Sequence, residues 1–367
     1  MKRAKILFIL HMPPPVHGAA IVGQNIHDSK LINSEFDCHY INLTLASDIE
    51  DIGKAGLKKL LRILRLLYLV RKKVMNGKPD LVYLTPNAKG SAFFKEWLVM
   101  MLLKSMRCKV VVHYHNKGVA SNQDNRLYDW LYRQFFDNIK VILLAERLYQ
   151  DVQKYVKKEN MFVCQNGIAV KNDVIRKNVG NHVPRLLFLS NLIKSKGVLV
   201  LLDALAILKA KDYSFVCDIV GGESKEIDNK RISEEIRQRG IENVTVYWGR
   251  KYENAKEEIL DNTDIFVFPT YYDKECFPLV LLEAMQHGLP IITTNEGGIA
   301  DMVIHGENGL ICKKKNPLDL ATCLIKLLDN PSLMKSMGKV GYNKYKEYFT
   351  IEAFERRFAD ILHQLTN

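Results

Sequence analysis

The segment DIFVFPTYYDKECFPLVLLEAMQHGLPIITT, residues 264–294, contains two strand-like runs with a helical pattern between them. The runs IFVFPT and PIITT are short and apolar, as in strands of a parallel sheet. Between them, LVLLEAM is typical of a packed helix, and Pro278 suits a first helical position because its missing N–H would have no partner there. The segment therefore predicts a βαβ unit whose helix begins near Phe277 or Pro278.

Two carboxylates flank this predicted helix start. Glu275 lies in the preceding loop and Glu283 in the second turn, and helical side chains lean back towards the N-terminus. The unpaired N–H groups of a helix start favour phosphate. A ligand with a diphosphate between two hydroxyl-rich parts would fit, with one acid on each set of hydroxyls. The alternative is an ordinary amphipathic helix with solvated glutamates.

Strand-like runs alternate with helical patterns along the whole chain, which predicts an α/β fold of two doubly wound parallel-sheet domains. The polar stretch KNDVIRKNVGNHVP, residues 171–184, is the predicted linker. We assign the first domain to residues 1–175 and the second to residues 176–347, and the helical pattern at about 348–367 could pack on either. Ligands bind such sheets at the carboxyl ends of the strands, where this chain places its Gly- and Asn-containing loops.

Composition and charge narrow the class of protein. The chain has 367 residues and seven cysteines without paired or metal-ligand spacing, which favours a reducing, cytoplasmic location. The first ten residues predict a buried strand rather than a signal peptide. Residues 1–180 contain 29 Lys and Arg against 15 Asp and Glu, while the remainder is nearly neutral. This asymmetry predicts an anionic partner for the first domain only.

The second half contains FLSNLIKSKGVLVLLDAL, DIVGGE and VTVYWGR, followed by two glutamates with seven residues between them and then EAM, GLPII and GG. In order and spacing these motifs resemble the retaining glycosyltransferases of family 4, which have the GT-B architecture of two Rossmann-like domains facing a central cleft. The first half resembles the family more loosely, through the loop after the first strand, HYHNKG and QNGI. The resemblance implies an acceptor-side first domain and a second domain that binds a nucleotide-sugar donor.

The resemblance also implies roles for individual residues. Glu275 would contact hydroxyls of the donor sugar, Glu283 those of the ribose, and Lys196 the diphosphate, whose developing charge it would stabilise. His115 would lie beside the donor sugar near the reacting carbon. The other residues that it places at the donor are Gly18, Asn166, Gly297 and Gly298.

The chain departs from the family pattern at two places. Asn191 stands where the family usually has an arginine, so Arg250 or Lys194 would have to supply that charge. The family's EGFG is ECFP here, which leaves the N–H groups of Cys276, Phe277 and Leu279 as possible phosphate donors. The implied reaction is a front-face displacement with retention that needs no protein nucleophile. We expect no cofactor and no essential metal, because a helix start and a lysine can neutralise the diphosphate.

The basic segment KAGLKKLLRILRLLYLVRKKVMNGK, residues 54–78, contains no acid. Its apolar stripe and its basic side chains at helical spacing are typical of a helix in an anionic membrane interface. The alternative is a core helix with a solvated basic face. The candidate membrane or acceptor residues are Lys58, Lys59, Arg62 and Arg65, together with Trp97 in a second apolar segment.

These observations predict a transferase for a surface polysaccharide or glycolipid, peripheral on the inner face of the cell membrane. Its partners would be a nucleotide sugar, a glycan or lipid-linked acceptor and an anionic membrane surface. A nucleotide-sugar epimerase or hydrolase on the same fold is the first alternative. Nucleic-acid binding through the basic half is the second, and it lacks the interleaved aromatics of a known module. We therefore expect no nucleic-acid partner.

Overall fold

The computed structural model describes residues 3–14, 18–43, 55–171 and 183–367, and for residues 55–59 it describes the backbone alone. Two compact units divide the chain: unit 1 is Met1–Asn166 with Ile351–Asn367, and unit 2 is Gly167–Thr350. Most of the predicted linker lies outside the described residues.

Unit 1 is built on a parallel sheet with the strand order β2-β1-β3-β4-β5-β6 in its described part. Its strands are Lys5–Leu10 (β1), Asp37–Asn42 (β2), Leu81–Leu84 (β3), Val110–Tyr114 (β4), Lys140–Leu143 (β5) and Met161–Val163 (β6). Its helices are Gly18–Asp28 (α1), Lys30–Glu35 (α2), Ala55–Gly77 (α3), Gly90–Ser105 (α4), Arg126–Phe136 (α5) and Tyr149–Val152 (α6), with the last helix of the chain, Ile351–Thr366 (α14).

The core of unit 1 explains why α14 belongs to it. Phe358 of α14 is fully buried, and its ring lies 5.2 Å from Tyr83 of β3 and 6.4 Å from Phe8 of β1. Phe354 and Leu362 of the same helix are buried in the same cluster. This spacing places one apolar stripe of α14 against the sheet, with polar residues on its other side.

Unit 2 repeats the design with the strand order β12-β11-β10-β7-β8-β9 in its described part, and its pairs are also parallel. Its strands are Arg185–Leu189 (β7), Val216–Val220 (β8), Thr245–Tyr247 (β9), Ile265–Phe268 (β10), Ile291–Thr294 (β11) and Gly309–Cys312 (β12). Its helices are Val198–Ala210 (α7), Asn229–Gln238 (α8), Glu253–Asp261 (α9), Leu279–Gln286 (α10), Ile299–Met302 (α11), Pro317–Leu328 (α12) and Pro331–Tyr348 (α13).

The two sheets confirm the predicted fold class. The strand-like runs of the sequence are all present, but the sequence pattern missed β2 and β12. Each of these is the first strand in its sheet order, at an edge. An edge strand has only one neighbouring strand, and most residues of β2 are accordingly only half-buried.

Candidate active site

The neighbouring strands β11, β10 and β7 of unit 2 place several candidate residues along one edge of the sheet. Lys196 lies in a 3-10 turn after β7, Glu275 in the loop after β10, and Gly297 and Gly298 in the loop after β11. Parallel strands bring their carboxyl ends to the same edge. The fold of unit 2 therefore brings these four residues together.

Lys196 and Glu275 form a direct ion pair. The lysine Nζ donates to Glu275 Oε2 at 2.5 Å, and the two side chains are 15% and 8% exposed. Thr270 Oγ1 also donates to this carboxylate, at 3.4 Å. The ammonium group lies 4.6 Å from the ring centroid of Tyr272. A largely dry lysine that is paired in this way is held in position by its ion pair.

The glycine loop after β11 touches the backbone of Glu275 and Cys276. Gly297 has φ +54°, and a Cβ added there would lie 2.0 Å from the carbonyl oxygen of Glu275. The N–H of Gly298 donates to the carbonyl of Cys276 at 2.7 Å. Glycine at position 297 is therefore required both by its backbone conformation and by this close approach.

The helix after Glu275 begins one residue later than its sequence predicts. Pro278 is the N-cap residue with an extended conformation, and Leu279 is the first helical residue. Proline lacks an N–H and is compatible with both the N-cap position and the first helical position, so its presence alone could not distinguish these two helix starts. The side chains of Cys276 and Phe277 are buried, and the Phe277 ring lies 5.8 Å from that of Phe349.

Glu283 lies in α10 and has a different cationic partner from Glu275. Lys256 of α9 donates to its carboxylate at 2.8 Å, and each side chain is about one quarter exposed. The two predicted acids are thus held by two separate lysines. The sequence reasoning missed Lys256, because nothing in the sequence indicates that α9 and α10 place these two residues together.

Asn191 and Arg250 meet at the loop after β8. The side-chain oxygen of Asn191 accepts a hydrogen bond from the N–H of Gly222 at 3.2 Å. A Cβ added at Gly222 would lie 2.0 Å from Nε of Arg250. The Arg250 guanidinium therefore lies directly over Gly222, on the loop that Asn191 holds, whereas the backbone N–H of Lys194 donates to Glu226 at 2.7 Å.

In unit 1, His115 follows β4 in a loop that is tied down at several points. Its ring lies 4.2 Å from that of buried His113, which contacts the Tyr83 hydroxyl at 2.8 Å. Burial holds the pKa of His113 well below its usual range, so that ring is neutral. Asn116 accepts from the N–H of Ala88 at 2.7 Å.

Asp151 fixes the other end of the His115 loop. Its carboxylate accepts hydrogen bonds from three successive backbone N–H groups, at 2.9 to 3.1 Å, which belong to Gly118, Val119 and Ala120. The sequence reasoning missed Asp151, which lies far along the chain in α6. His115 is therefore presented by a rigid loop rather than a free one.

Two further candidates lie at the same end of unit 1. Asn166 follows β6 and is 4% exposed, and its side-chain oxygen has no hydrogen-bond partner within the described residues. Gly18 is the first residue of α1, and a Cβ added there would meet no atom of the described chain within 4 Å. The packing of the described residues therefore does not explain glycine at position 18.

Glu96 is a buried acid that the sequence reasoning did not select. It lies in α4 with no exposed surface and accepts from the backbone N–H of Asn87 at 2.5 Å and from its side chain at 3.0 Å. His11, at the end of β1, and Lys95 lie 3.7 and 3.8 Å away. Burial raises the pKa of Glu96 to about 7. Glu96 is the one acid of a mostly apolar helix, and this feature of the sequence could have indicated it.

The candidate membrane residues lie on α3 and α4. Arg65 is exposed, while Arg62 and Trp97 are half-buried. Lys58 and Lys59 are part of α3, but their side chains lie outside the described residues. Leu66, Val70 and Val74 form the buried side of α3, so the predicted apolar stripe is not its core-facing side: Leu60, Leu61, Leu64 and Tyr68 are all exposed.

Two further features concern metal binding and membrane crossing in residues 3–14, 18–43, 55–171 and 183–367. Among them, no group of three or more His, Cys, Asp or Glu side chains is arranged to hold a metal ion. No helix in this described part of the chain is long and apolar enough to cross a bilayer.

The family model described as "Glycosyl transferases group 1" matches residues 171–344, which is most of unit 2. The amylovoran biosynthesis glycosyltransferase AmsK of Erwinia amylovora is 25% identical over 270 residues. That match covers 72% of this chain and 66% of AmsK, so the chain spans just under two thirds of that relative's length.

Solved structures show the same fold along the whole chain. Sucrose-phosphate synthase from Thermosynechococcus elongatus superposes with a TM-score of 0.76 at 18% identity and 99% coverage of both chains. Anabaena HepE in complex with UDP and glucose gives a TM-score of 0.72 at 17% identity, over 98% of this chain and 99% of that one. The architecture is the GT-B fold, with a Rossmann-like sheet in each unit.

Proposed function

We propose that the chain is a retaining glycosyltransferase, and the match of residues 171–344 to the glycosyl transferases group 1 family model supports this. It moves a sugar, a hexose or a related one, from a nucleotide-diphosphate sugar to a hydroxyl of a glycan or lipid-linked acceptor. The observation that carries this proposal is the Lys196–Glu275 ion pair at the carboxyl edge of unit 2, beside the glycine loop. HepE, a relative in fold, was solved with UDP and glucose.

In this proposal the ion pair does two tasks. Lys196 neutralises the diphosphate and the charge that develops on it as the bond to the sugar breaks. Glu275 accepts hydrogen bonds from sugar hydroxyls, which replace part of its interaction with Lys196 when the donor enters. Glu283 similarly exchanges its contact with Lys256 for the ribose hydroxyls. The close packing of Gly297 against Glu275 keeps the carboxylate in place.

Arg250 supplies the second positive charge for the diphosphate. Asn191 carries no charge, and it instead positions the Gly222 N–H beside the Arg250 guanidinium. A guanidinium can form two parallel hydrogen bonds to phosphate oxygens. The support is the contact between Arg250 and Gly222, which places this cation on the loop after β8.

The proposed chemistry is a front-face displacement. The bond between the anomeric carbon and the diphosphate oxygen breaks, the acceptor oxygen bonds to the same face of that carbon, and the acceptor proton passes to the departing diphosphate. His115 contacts the donor sugar near the reacting carbon. No bound metal and no other cofactor is required, because Lys196, Arg250 and the start of α10 neutralise the leaving group.

We place the reaction in the synthesis of a surface polysaccharide or glycolipid, with the protein cytoplasmic and peripheral on the inner face of the cell membrane. Two observations support this. Relatives are named for amylovoran and colanic acid biosynthesis, and the positive charge of the chain is concentrated in residues 1–180.

The test is transfer of labelled sugar from UDP-, GDP-, ADP- and dTDP-sugars into a membrane lipid extract, with EDTA present. We expect one nucleotide class to donate label to the extract in a reaction that Glu275→Gln slows by about a hundredfold or more. Turnover of the nucleotide sugar without any acceptor would favour an epimerase or hydrolase. Salt-sensitive retention on nucleic acid without nucleotide-sugar binding would favour the second alternative.

A further inference from the structure

The helices α3, α4 and α5 cover one face of the unit 1 sheet. They connect β2 to β3, β3 to β4 and β4 to β5, and each step moves in the same direction along the strand order. Because crossovers between parallel strands are right-handed, helices that connect strands in one direction lie on the same face. The middle helix, α4, packs against both α3 and α5. Their outer sides therefore form one continuous surface.

Each of these helices presents large apolar side chains on its outer side. Leu61, Leu64 and Tyr68 of α3 are each more than half exposed, and so are Leu127 and Trp130 of α5. Leu98 of α4, 39% exposed, lies between them in sequence order. Trp97 of α4 and Trp130 of α5 have ring centroids 6.0 Å apart, so the apolar area crosses from one helix to the next. We call the outer side defined by these residues the α3–α5 surface.

The charges of the same three helices are almost all positive. There are seven Lys and Arg residues in α3, two in α4 and two in α5. The acids are Glu96, which is buried, and Asp129, which is bound by Arg133, Lys154 and Tyr155. The α3–α5 surface thus combines exposed apolar side chains with the cations of α3 and α5, and the two acids of its helices are buried or paired.

This combination selects one kind of partner. A group of large apolar side chains that are exposed side by side marks an interaction site. In a symmetric contact between two copies of the chain, the same cations would face one another and repel. A bilayer with anionic headgroups instead offers an apolar layer for the leucines, an interface that suits Trp and Tyr, and negative charge for the arginines and lysines.

We infer that the α3–α5 surface is the face with which the protein docks on a bilayer of anionic lipids, with Leu64 and Trp130 inserted below the headgroups. The inference deepens the membrane location that is part of the proposed function. It also goes beyond a single basic helix, because α4 and α5 contribute the exposed side chains of Leu98, Leu127 and Trp130. Attachment should therefore depend on insertion as well as on electrostatic attraction.

The experiment is co-sedimentation of the full chain with vesicles of phosphatidylcholine alone or mixed with phosphatidylglycerol, at low salt. The wild type should bind the mixed vesicles, and Leu64→Glu with Trp130→Glu should weaken binding by about tenfold or more. The control is Leu318→Glu, which changes an exposed leucine of α12 in unit 2 and should leave binding unchanged. Unaltered thermal unfolding of each variant shows that its fold is intact.

Insertion of the α3–α5 surface into the bilayer can be measured separately, by quenching of tryptophan fluorescence. In a Trp248→Phe background the remaining tryptophans are Trp97 and Trp130, both in unit 1. Brominated lipid should quench their fluorescence in mixed vesicles, and quenching should persist at a salt concentration that screens electrostatic attraction. Binding without quenching would contradict the inference, as would wild-type binding by the double variant or the absence of any binding to mixed vesicles. A lipid-free dimer that the double variant disperses would instead assign the surface to self-association.

Binding of a nucleoside diphosphate to the same variants separates this inference from the proposed function. The double variant should retain it, since the changed residues belong to unit 1, whereas Lys196, Arg250 and Glu283, which are proposed to bind the diphosphate and ribose, belong to unit 2. Vesicle binding by a wild type that binds no nucleotide would contradict the proposed function and leave the docking surface in place.

Discussion

Replacing Glu96 by glutamine should remove a pH dependence that the free energy of unfolding of unit 1 shows in the wild type. Burial raises the pKa of this carboxyl from its ordinary 4.5 to about 7, so ionising it in the folded protein costs ~3 kcal/mol, at ~1.4 kcal/mol per pH unit. Because the folded pKa lies above the unfolded one, the folded state is favoured at low pH. The free energy of unfolding then falls as pH rises towards 7, by ~2.5 kcal/mol between about pH 5 and about pH 8.

Urea unfolding across this pH range measures the effect, followed by the fluorescence of Trp97 and Trp130 in a Trp248→Phe background, so that the signal comes from unit 1. Subtracting the curve of Glu96→Gln from that of the wild type removes the contribution of all groups that titrate alike in both. His11 and Lys95, the charged neighbours of Glu96, remain in both proteins. If the free energies of unfolding of the wild type and Glu96→Gln differ by the same amount at every pH, the reasoning is refuted.

Three further changes probe unit 2. Gly297→Ala should lower the unfolding temperature, and it should lower the affinity for a nucleotide by about tenfold or more, because the added Cβ would lie 2.0 Å from the Glu275 carbonyl oxygen. Gly18→Ala is the control for stability, because no described atom lies within 4 Å of its added Cβ. Lys196→Met should destabilise unit 2 by ~3 kcal/mol, since it leaves buried Glu275 unpaired, and adding Glu275→Gln should restore most of that loss in a urea titration. Arg250→Met should weaken binding of a nucleoside diphosphate by about tenfold in calorimetry with little change in stability; unaltered affinity would remove Arg250 from the donor site.

The sequence predicted the central strands of both sheets and also the edge strands β6 and β9. The runs that became β7, β10 and β11 are apolar on both faces because helices cover both sides of a parallel sheet, and this gives a strong local signal. The edge strands β2 and β12 carry a weaker one. In β12 the signal is weakened further by Gly309. Glycine is needed there because an added Cβ would lie 2.3 Å from the Ile291 carbonyl oxygen.

The candidate site was predictable where a loop directly follows a strand. The resemblance selected Lys196 and Gly297, and the position before a predicted helix start selected Glu275; all three lie in loops that follow strands, and the sheet brings them to one edge. Lys256 and Asp151 were not selected, because each makes its contacts with residues about 30 positions away in the chain. Helix α3 shows the same limit: its apolar stripe is visible in the sequence, but whether the stripe faces the core or the solvent depends on α4, which packs beside it.

The most direct test of the account is calorimetric titration of UDP, GDP, ADP and dTDP into the wild type and Glu283→Gln, with EDTA present. We expect one nucleoside diphosphate to bind the wild type in the absence of metal, and Glu283→Gln to lose about tenfold or more of that affinity with an unchanged unfolding temperature. If a well-folded wild type binds none of the four, or if Glu283→Gln binds as tightly as the wild type, then the carboxyl edge of unit 2 is not the nucleotide-sugar site described above.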